Sequence, residues 1–427
     1  MIGPISLQTS GVDFVAPTIR GTLPAKPQYN GGGDTTKLAD LVAAIKRRGA
    51  AIKISALDDT AASLTAKKNL DKHGTNTYDP KFDVGDSQGT GEGGYKYFWE
   101  YNLENWFKVV PADMRFTLSG RPVIYEWSLA DSFFTDQGGG HAAAMLNYAK
   151  QHAQSEFGVA PYFIVDNSWI KEDPAAQDVV DGVNDWFSMT SSSTLATFKG
   201  DTFGVLVPGY HTGAATDLSR DIPAAHGDTL RTGLANTVGK GALVTLVEGF
   251  SDWKENCALW RGRPGTYDAT RYDYPNQMIN ILRQYARDPF QTGVRIEAEG
   301  ADSTSDTTAG NLYKTYRDGD TDIQATTDGG PGWNVGSTAA GEWLQWKALP
   351  MSGTVTLKVR VATVSANSQI RFDVDGKTGP VTTLPSTGAW TTYQTVNAGT
   401  FTFAANSVHD VRITFLNGGV NLNYWTD

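Results

Sequence analysis

The hydrophobic pattern of the chain changes near residue 290, and this change limits what the chain can fold into. Before residue 290, short apolar runs alternate with longer stretches of helical periodicity. After it, Thr, Ser, Val and Gly dominate, and apolar residues alternate with polar ones at a period of two, as in 354–364. A chain of 427 residues is also longer than one ordinary domain. We therefore predict two domains, residues 1–290 and residues 294–427.

Apolar runs in the first domain indicate buried strands, and helical patterns such as 35–49, 139–158 and 274–288 accompany them. Nearly continuous apolar strands joined by helices are typical of a parallel sheet that is covered on both faces. We predict a (β/α)8 barrel whose first strand is missing or irregular, and a doubly wound open sheet is the alternative. The alternation of apolar and polar residues in the second domain predicts an all-β sandwich. The seven predicted strands of the first domain are 13–19, 51–57, 122–127, 162–166, 183–189, 203–207 and 242–248.

Composition narrows the class of function. The net charge of −10 disfavours nucleic acid as a partner, because phosphate binding needs a basic surface. Cys257 is the only cysteine, which rules out an intramolecular disulfide and a thiolate metal cage. No apolar run approaches the ~20 residues that span a bilayer. We expect a secreted monomer, although the first residues lack the basic and apolar regions of a signal peptide. The 12 Trp, 17 Tyr and 18 Phe suit stacking on sugars.

Two carboxylates follow the last predicted strand of the first domain. Asp252 and Glu255 are three residues apart in the stretch 246–260. In a barrel, residues at the carboxyl ends of the strands form the active site. Glycoside hydrolysis needs one protonated and one ionised carboxyl group, and a close pair raises the pKa of one member. We predict that Asp252 and Glu255 are the catalytic pair, with no cofactor for catalysis and with the acid not assigned.

Further polar and aromatic residues follow the other predicted strands, and we expect them to bind substrate. Asp58 and Asp59 could instead cap the following helix. Glu126 could instead be a buried carboxylate that is paired with an arginine. His211 could be structural, and Glu248 is a rival for the acid role. A divalent metal site built from some of these residues is a further alternative, without any H-E-x-x-H spacing. The predicted substrate-binding residues are Asp58, Asp59, Glu126, Trp127, Asp166, Trp169, His211, Glu248 and Trp253.

The stretch 247–260, VEGFSDWKENCALW, resembles the strand-end signature of glycoside hydrolase families 71 and 99. In those families a segment of the type N-[DE]-[WY]-x-E carries both catalytic carboxylates. The resemblance implies these roles for Asp252 and Glu255, with Trp253 between them, while Ser251 and Lys254 depart from the pattern. It also implies a glycosidase that acts on a polysaccharide, an α-1,3-glucan or an α-mannan. The alternative is a non-catalytic polysaccharide-binding or adhesion protein with a degenerate barrel.

Four blocks in the second domain resemble carbohydrate-binding modules of families 6 and 35. They are VRIEAEG at 294–300, GWNVGSTAAGEWLQW at 332–346, TGAWTTYQTV at 387–396 and GGVNLNYWTD at 418–427. The resemblance implies a jelly-roll sandwich with a structural calcium ion and a sugar cleft at its tip. Matched residue by residue, it implies calcium ligands at Glu297, Glu299 and Asp427 and sugar contacts at Trp333, Trp390 and Asn421.

Overall fold

The chain forms two compact units, each made of separate chain segments. The parallel-sheet unit comprises Asp13–Val207 and Thr232–Glu248, and the β-rich unit comprises Met1–Val12, Pro208–Arg231 and Gly249–Asp427. The predicted domain boundary near residue 290 stays a prediction. Trp253 lies outside the described residues. The computed structural model describes residues 3–19, 34–60, 82–86, 94–130, 133–213, 218–252, 254–262 and 271–427.

The helices agree with the periodic stretches of the sequence. The patterns at 35–49, 139–158 and 274–288 are confirmed as α2, α5 and α8. A π-helix, Trp99–Leu103, joins α3 to α4. None of the described helices combines the length and the apolar character that crossing a membrane requires. The described helices are α1 Gly3–Ser10, α2 Asp34–Arg48, α3 Gly94–Phe98, α4 Glu104–Val109, α5 His141–Phe157, α6 Ser168–Glu172, α7 Asp228–Asn236 and α8 Gln277–Gln284.

Strands occur in all seven predicted stretches, but 13–19 and 51–57 are each divided into two short strands, and 183–189 is a strand only at its start, in Gly182–Asn184. In the parallel-sheet unit, β2, β4, β7, β9 and β10 form one parallel sheet in that order, and β12 pairs in parallel with β15. In the described residues these are separate sheets, so a closed eight-stranded barrel is not seen there. The strands are β1 Phe14–Val15, β2 Thr18–Ile19, β3 Lys53–Ile54, β4 Ala56–Asp58, β5 Phe82–Asp83, β6 Thr117–Leu118, β7 Arg121–Glu126, β8 Phe134–Thr135, β9 Tyr162–Asp166, β10 Gly182–Asn184, β11 Ser193–Phe198, β12 Asp201–Leu206, β13 Tyr210–His211, β14 Asp221–Ile222 and β15 Val244–Val247.

The central parallel strands are buried on both faces, as their continuous apolar sequence predicts. In β7, Val123 and Tyr125 belong to one apolar cluster, whereas Ile124 between them belongs to another. Successive side chains of a strand point to opposite faces, so one strand contributes to both cores. Because these strands pair in parallel, their carboxyl ends lie at one edge of the sheet.

The C-terminal residues form an antiparallel sheet, which confirms the all-β prediction. The sheet order is β18-β19-β24-β20-β23-β21-β22, with β16 on β24 and β17 on β20. The long strands β20 and β23 change register at three places, and such bulges bend a strand, so the sheet curls around its core. Trp346 and Trp425 meet edge to face in that core at 5.5 Å. The strands are β16 Ile296–Glu297, β17 Ser303–Ser305, β18 Ile323–Thr326, β19 Gly332–Val335, β20 Trp343–Ala362, β21 Gln369–Val374, β22 Lys377–Thr383, β23 Gln394–Phe415 and β24 Asn421–Thr426.

Candidate functional site

Asp252 and Glu255 lie on one tight turn of the β-rich unit. A carboxylate oxygen of Asp252 accepts a hydrogen bond from the backbone N–H of Glu255 at 3.0 Å. The backbone of Asp252 donates to the carbonyl of Gly249 at 3.1 Å and accepts from the N–H of Cys257 at 3.2 Å. Both carboxylates are half-buried. The turn therefore holds the predicted catalytic pair in a fixed arrangement at the edge of solvent.

Strand β13 lies against this turn and adds the Tyr210 hydroxyl to it. The backbone N–H of His211 donates to the carbonyl of Glu255 at 2.8 Å. The Tyr210 hydroxyl hydrogen-bonds to the Glu255 carboxylate; burial first, and then this carboxylate, raise the pKa of Tyr210 to about 12. His211 is buried, with its Nδ1 at 3.6 Å from Oδ1 of Asp221 on β14. The contact of Tyr210 with Glu255 carries no sequence signal, because the two residues are distant in the chain.

A buried arginine fixes the far side of the same turn. Arg271 donates to Oδ1 of Asn256 at 3.1 Å and to the carbonyl of Ala258, and only 2% of it is exposed. A buried guanidinium that is hydrogen-bonded on both sides holds the segment after Glu255 in place. Sequence reasoning did not predict Arg271, which belongs to no strand end.

In the parallel-sheet unit, two predicted substrate-binding carboxylates are completely enclosed. Asp58 and Glu126 are register partners at the carboxyl ends of β4 and β7, and they are 0% and 2% exposed. Burial, and next the charge of Asp58 and a hydrogen bond to it, raise the pKa of Glu126 well above its usual range. Thr60 donates to Glu126 at 3.3 Å. Two carboxyl groups that are hydrogen-bonded to each other share a proton, so Glu126 has a carboxyl partner in Asp58. The alternative of an arginine partner for Glu126 stays a prediction.

In wild type, the free energy of unfolding is expected to fall as the pH rises, because Glu126 is protonated in the folded protein. Replacing Glu126 by Gln is expected to abolish this fall. Above the usual pKa of glutamate, the unfolded chain has released the Glu126 proton, whereas the folded protein still holds it. The free energy of unfolding therefore falls as the pH rises from the usual pKa to the raised pKa of the folded protein. The slope reaches about 1.4 kcal/mol per pH unit for one proton. Gln keeps the hydrogen bonds without titrating, so urea unfolding of the variant should show a flatter profile. Asp228→Asn, at a carboxylate that is 75% exposed on α7, is the control, and equal slopes in wild type and Glu126→Gln would contradict the shared proton.

The remaining strand-end residues of this unit have mainly structural contacts. Asp166 accepts from the backbone and hydroxyl of Ser168 and from the backbone of Trp186, so it ties together the loops after β9 and β10. Trp169 was predicted to bind substrate, but it is 0% exposed and donates to the carbonyl of Trp127 at 2.6 Å. A ring without an exposed face cannot stack on a sugar, so Trp169 belongs to the core. Asp59 and Glu248 are half-buried where β4 and β15 end.

Half-buried aromatic rings surround these strand ends. Trp127 has a ring contact with Trp186 at 6.4 Å and with Phe133 at 6.5 Å. Trp186 in turn contacts Phe187. The rings lie beyond the carboxyl ends of β7 and β10, the two strands on either side of β9. Partly exposed rings of this kind can pack against the C–H faces of sugars. Trp127 was predicted, whereas Trp186 was read only as part of a strand.

In the curled sheet, Trp390 is the predicted sugar-binding residue with the clearest exposure. It is 44% exposed, although it is a large apolar side chain. Its carbonyl accepts from the Asn421 amide at 3.1 Å. Tyr393 hydrogen-bonds to the side chains of Asn334, Asn421 and Thr326, and burial raises its pKa. An exposed ring beside a set of buried amides is a surface that suits a sugar, with an apolar face and oriented hydrogen-bonding groups.

Trp333 does not share this surface, so the predicted pair of rings is corrected. Side chains alternate along β19, and Asn334 points towards Tyr393, so its neighbour Trp333 points to the opposite face. There it meets Tyr316 at 5.6 Å and lines a cavity of about 50 Å³ together with Glu297 and Glu299.

A second exposed ring is linked to the surroundings of Asn421 through Ser337. Tyr313 is 40% exposed and is bonded to the Ser337 hydroxyl at 2.7 Å. Ser337 follows Gly336, where a Cβ would come within 2.9 Å of the Asn421 side chain.

The three predicted calcium ligands do not gather at one point. The Glu297 carboxylate pairs with Arg295 at 2.5 Å and 3.0 Å. Asp427 accepts from the backbone N–H of Gly293 at 2.8 Å. Glu297 lies opposite Tyr424, so Asp427 is three residues, or about 10 Å, further along β24. Among the residues that the structure describes, these carboxylates do not converge on one point, and they do not fit a calcium site.

Comparisons with known families match two separate parts of the chain. A family model described as a domain of unknown function (DUF5010) matches residues 6–303. The model of carbohydrate binding module family 35 matches residues 317–427. No curated protein matches the chain.

Several solved structures are similar to the C-terminal part. A family 6 module from Cellvibrio mixtus lichenase 5A, in complex with cellotriose, is 28% identical, with 32% of this chain and 96% of that chain covered and a TM-score of 0.27. A β-1,3-glucan-binding family 6 module from Bacillus halodurans is 23% identical, with 32% and 94% covered and a TM-score of 0.25. A family 35 module from Clostridium thermocellum is 23% identical, with 31% and 95% covered and a TM-score of 0.23.

Proposed function

The chain belongs to the DUF5010 family and carries a C-terminal carbohydrate-binding module, and we propose that it is a glycoside hydrolase held on a polysaccharide by that module. The observation that carries the proposal is the turn with Asp252 and Glu255, in which Tyr210 hydrogen-bonds to Glu255. A carboxylate pair on one fixed turn is the minimum that acid–base cleavage of a glycosidic bond needs. The resemblance to glycoside hydrolase families 71 and 99 supports the same roles.

Both carboxylates of the pair accept a hydrogen bond, Asp252 from the backbone N–H of Glu255 and Glu255 from the Tyr210 hydroxyl. A hydrogen bond favours the charged form of each carboxylate, so we assign the acid and base roles to the pair as a whole. One carboxyl group would protonate the leaving oxygen, and the other would activate water or attack the sugar. Arg271 holds the segment that follows and so acts as a positioning residue.

The order of the strands supports a barrel for the N-terminal domain. Strands β2, β4, β7, β9 and β10 are neighbours in the order in which they occur in the chain. A doubly wound sheet reverses its order at a switch point, whereas a (β/α)8 barrel does not. The rings of Trp127 and Trp186 at the carboxyl ends of these strands would line the substrate groove.

In the carbohydrate-binding module, we propose that Trp390 and Tyr313 are the rings that hold the sugar. Both are exposed, and each is fixed through neighbours of Asn421. Asn421, Asn334 and Tyr393 would then orient the hydroxyl groups. An α-1,3-glucan or an α-mannan is the proposed polysaccharide, and secretion is the proposed location, since such modules act where polysaccharides are found.

Release of reducing sugar from insoluble α-1,3-glucan, α-mannan and other polysaccharides tests the hydrolase. Release from one of them by wild type would support the proposal and identify the substrate class. Binding to a polysaccharide without release from any of them would favour the adhesion alternative, in which the module binds and the first domain does not cleave.

A further inference from the structure

The acidic pair of the carbohydrate-binding module is surrounded by arginines. Glu297 and Glu299 are 5% and 1% exposed, so their charges need partners inside the protein. Arg295 supplies one, because its guanidinium makes two contacts with the Glu297 carboxylate. The arginine and the glutamate are two residues apart, on and next to β16, so this pair forms with the strand.

Arg261 reaches the pair from a segment that precedes the sheet. It donates to the carbonyls of Ala301 at 2.6 Å and Gly300 at 3.4 Å, which follow Glu299 directly. The charge of Glu299 acts on Arg261 as well. Burial lowers the pKa of Arg261, with the nearby acidic groups opposing the change. Arg261 therefore brings a positive charge to Glu299 and fixes the turn that carries it.

Arg317 completes the cluster. Burial, and next the charge of Arg261, lower the pKa of Arg317 to about 10, while Glu299 and Asp302 act in the opposite direction. An Nη of Arg317 is buried and has no hydrogen-bond partner among the described residues. Arg317 therefore brings a third positive charge close to Glu299 and Asp302.

The charges of this cluster balance without a metal ion. Three carboxyl groups, Glu297, Glu299 and Asp302, face three guanidinium groups, Arg261, Arg295 and Arg317. A calcium site instead gathers several oxygen ligands with an excess of negative charge. A divalent cation added here would leave an excess of two positive charges in a buried place, which costs free energy.

We propose that arginines take the place of calcium at Glu297 and Glu299, so that the module folds and binds sugar without a metal ion and depends on Arg261 instead. The proposal is independent of the proposed hydrolysis, because it concerns stability and metal binding only. It also assigns a structural role to the segment that carries Arg261, which lies outside the residues that resemble the module.

Calcium titration of the full chain tests the first half of the proposal. The expected result is no heat of calcium binding and the same Tm in calcium chloride as in EDTA. A Tm that rises in calcium in wild type, but no longer in Glu299→Gln, would overturn the proposal. A rise that persists in both Glu299→Gln and Glu297→Gln agrees with it, because the ion would then bind elsewhere.

Substitution of Arg261 tests the second half. Arg261→Gln is expected to lower Tm by about 5 °C or more, whereas Arg220→Gln, at an exposed arginine of the same unit, leaves it unchanged. Arg261→Lys keeps the charge and should recover part of the loss, which also provides a folded variant if Arg261→Gln does not fold. A Tm of Arg261→Gln equal to that of wild type would overturn the dependence on Arg261.

Discussion

Replacing Glu255 by Gln is expected to lower the rate of polysaccharide cleavage by about 10²–10⁴-fold, the range that a general acid or base contributes. Gln has the size of Glu and can still accept a hydrogen bond from Tyr210, but it has neither a charge to activate water or to attack nor an acidic proton to donate. The turn itself is held by backbone contacts and by the Asp252 carboxylate, which this change leaves in place. The loss should therefore appear in kcat and not in stability.

The measurement is the initial rate of reducing-sugar release from the polysaccharide that wild type cleaves. Glu104→Gln is the matched control, because it makes the same chemical change at a half-buried carboxylate of α4 that is paired with Lys108. Binding to the same polysaccharide should be unchanged in both variants, since the module is untouched. A Glu255→Gln protein as active as wild type would remove Glu255 from the mechanism, and Glu248 would then be the next carboxylate to test.

Strands were the part of the fold that the sequence predicted best, for a physical reason. A strand that is buried on both faces must be apolar along its whole length, so its position can be read from one stretch of residues, as in Tyr162–Asp166. The same holds for the alternation in β20 and β23. Whether the parallel strands close into a barrel depends on pairings between distant residues, and no single stretch carries that information.

The sequence predicted which polar and aromatic residues lie at strand ends, but it did not predict which of those side chains are exposed to solvent. Trp169 and Asp58 lie at strand ends as expected, yet both are enclosed, with 0% of each exposed. Trp333 occupies the expected block, but the alternation along β19 turns it away from Trp390. A motif fixes the order of residues, whereas the face that each side chain points to depends on strand register.

Contacts between side chains that are far apart in the chain could not be predicted from the sequence. The contacts of Tyr210 with Glu255 and of Arg271 with Asn256 join residues far apart in the chain. The acidic pair Glu297 and Glu299 reads as a calcium site on its own, and only the arrival of Arg261 from another segment changes that interpretation. Charge balance in a buried cluster is a property of the folded protein.

Replacing Trp390 by Ala is expected to raise the Kd for polysaccharide by about 30-fold or more, because a tryptophan at the centre of a binding site contributes about 2 kcal/mol or more. The ring is 44% exposed and lies outside the apolar core, so its removal should not unfold the module. Its carbonyl, which the Asn421 amide contacts, remains in the variant. The loss should therefore reflect the missing stacking surface alone.

Depletion of the protein from solution by insoluble α-1,3-glucan or α-mannan, whichever wild type binds, measures the effect. Trp390→Phe keeps a flat ring and should recover most of the affinity. Trp333→Phe is the discriminating variant: Trp333 lies on the opposite face of β19, so its substitution should leave binding unchanged, whereas a cleft between Trp333 and Trp390 requires a loss of similar size in both. Equal losses would restore the pair of rings that the sequence resemblance implies, and full binding by Trp390→Ala would place the sugar on another surface of the module.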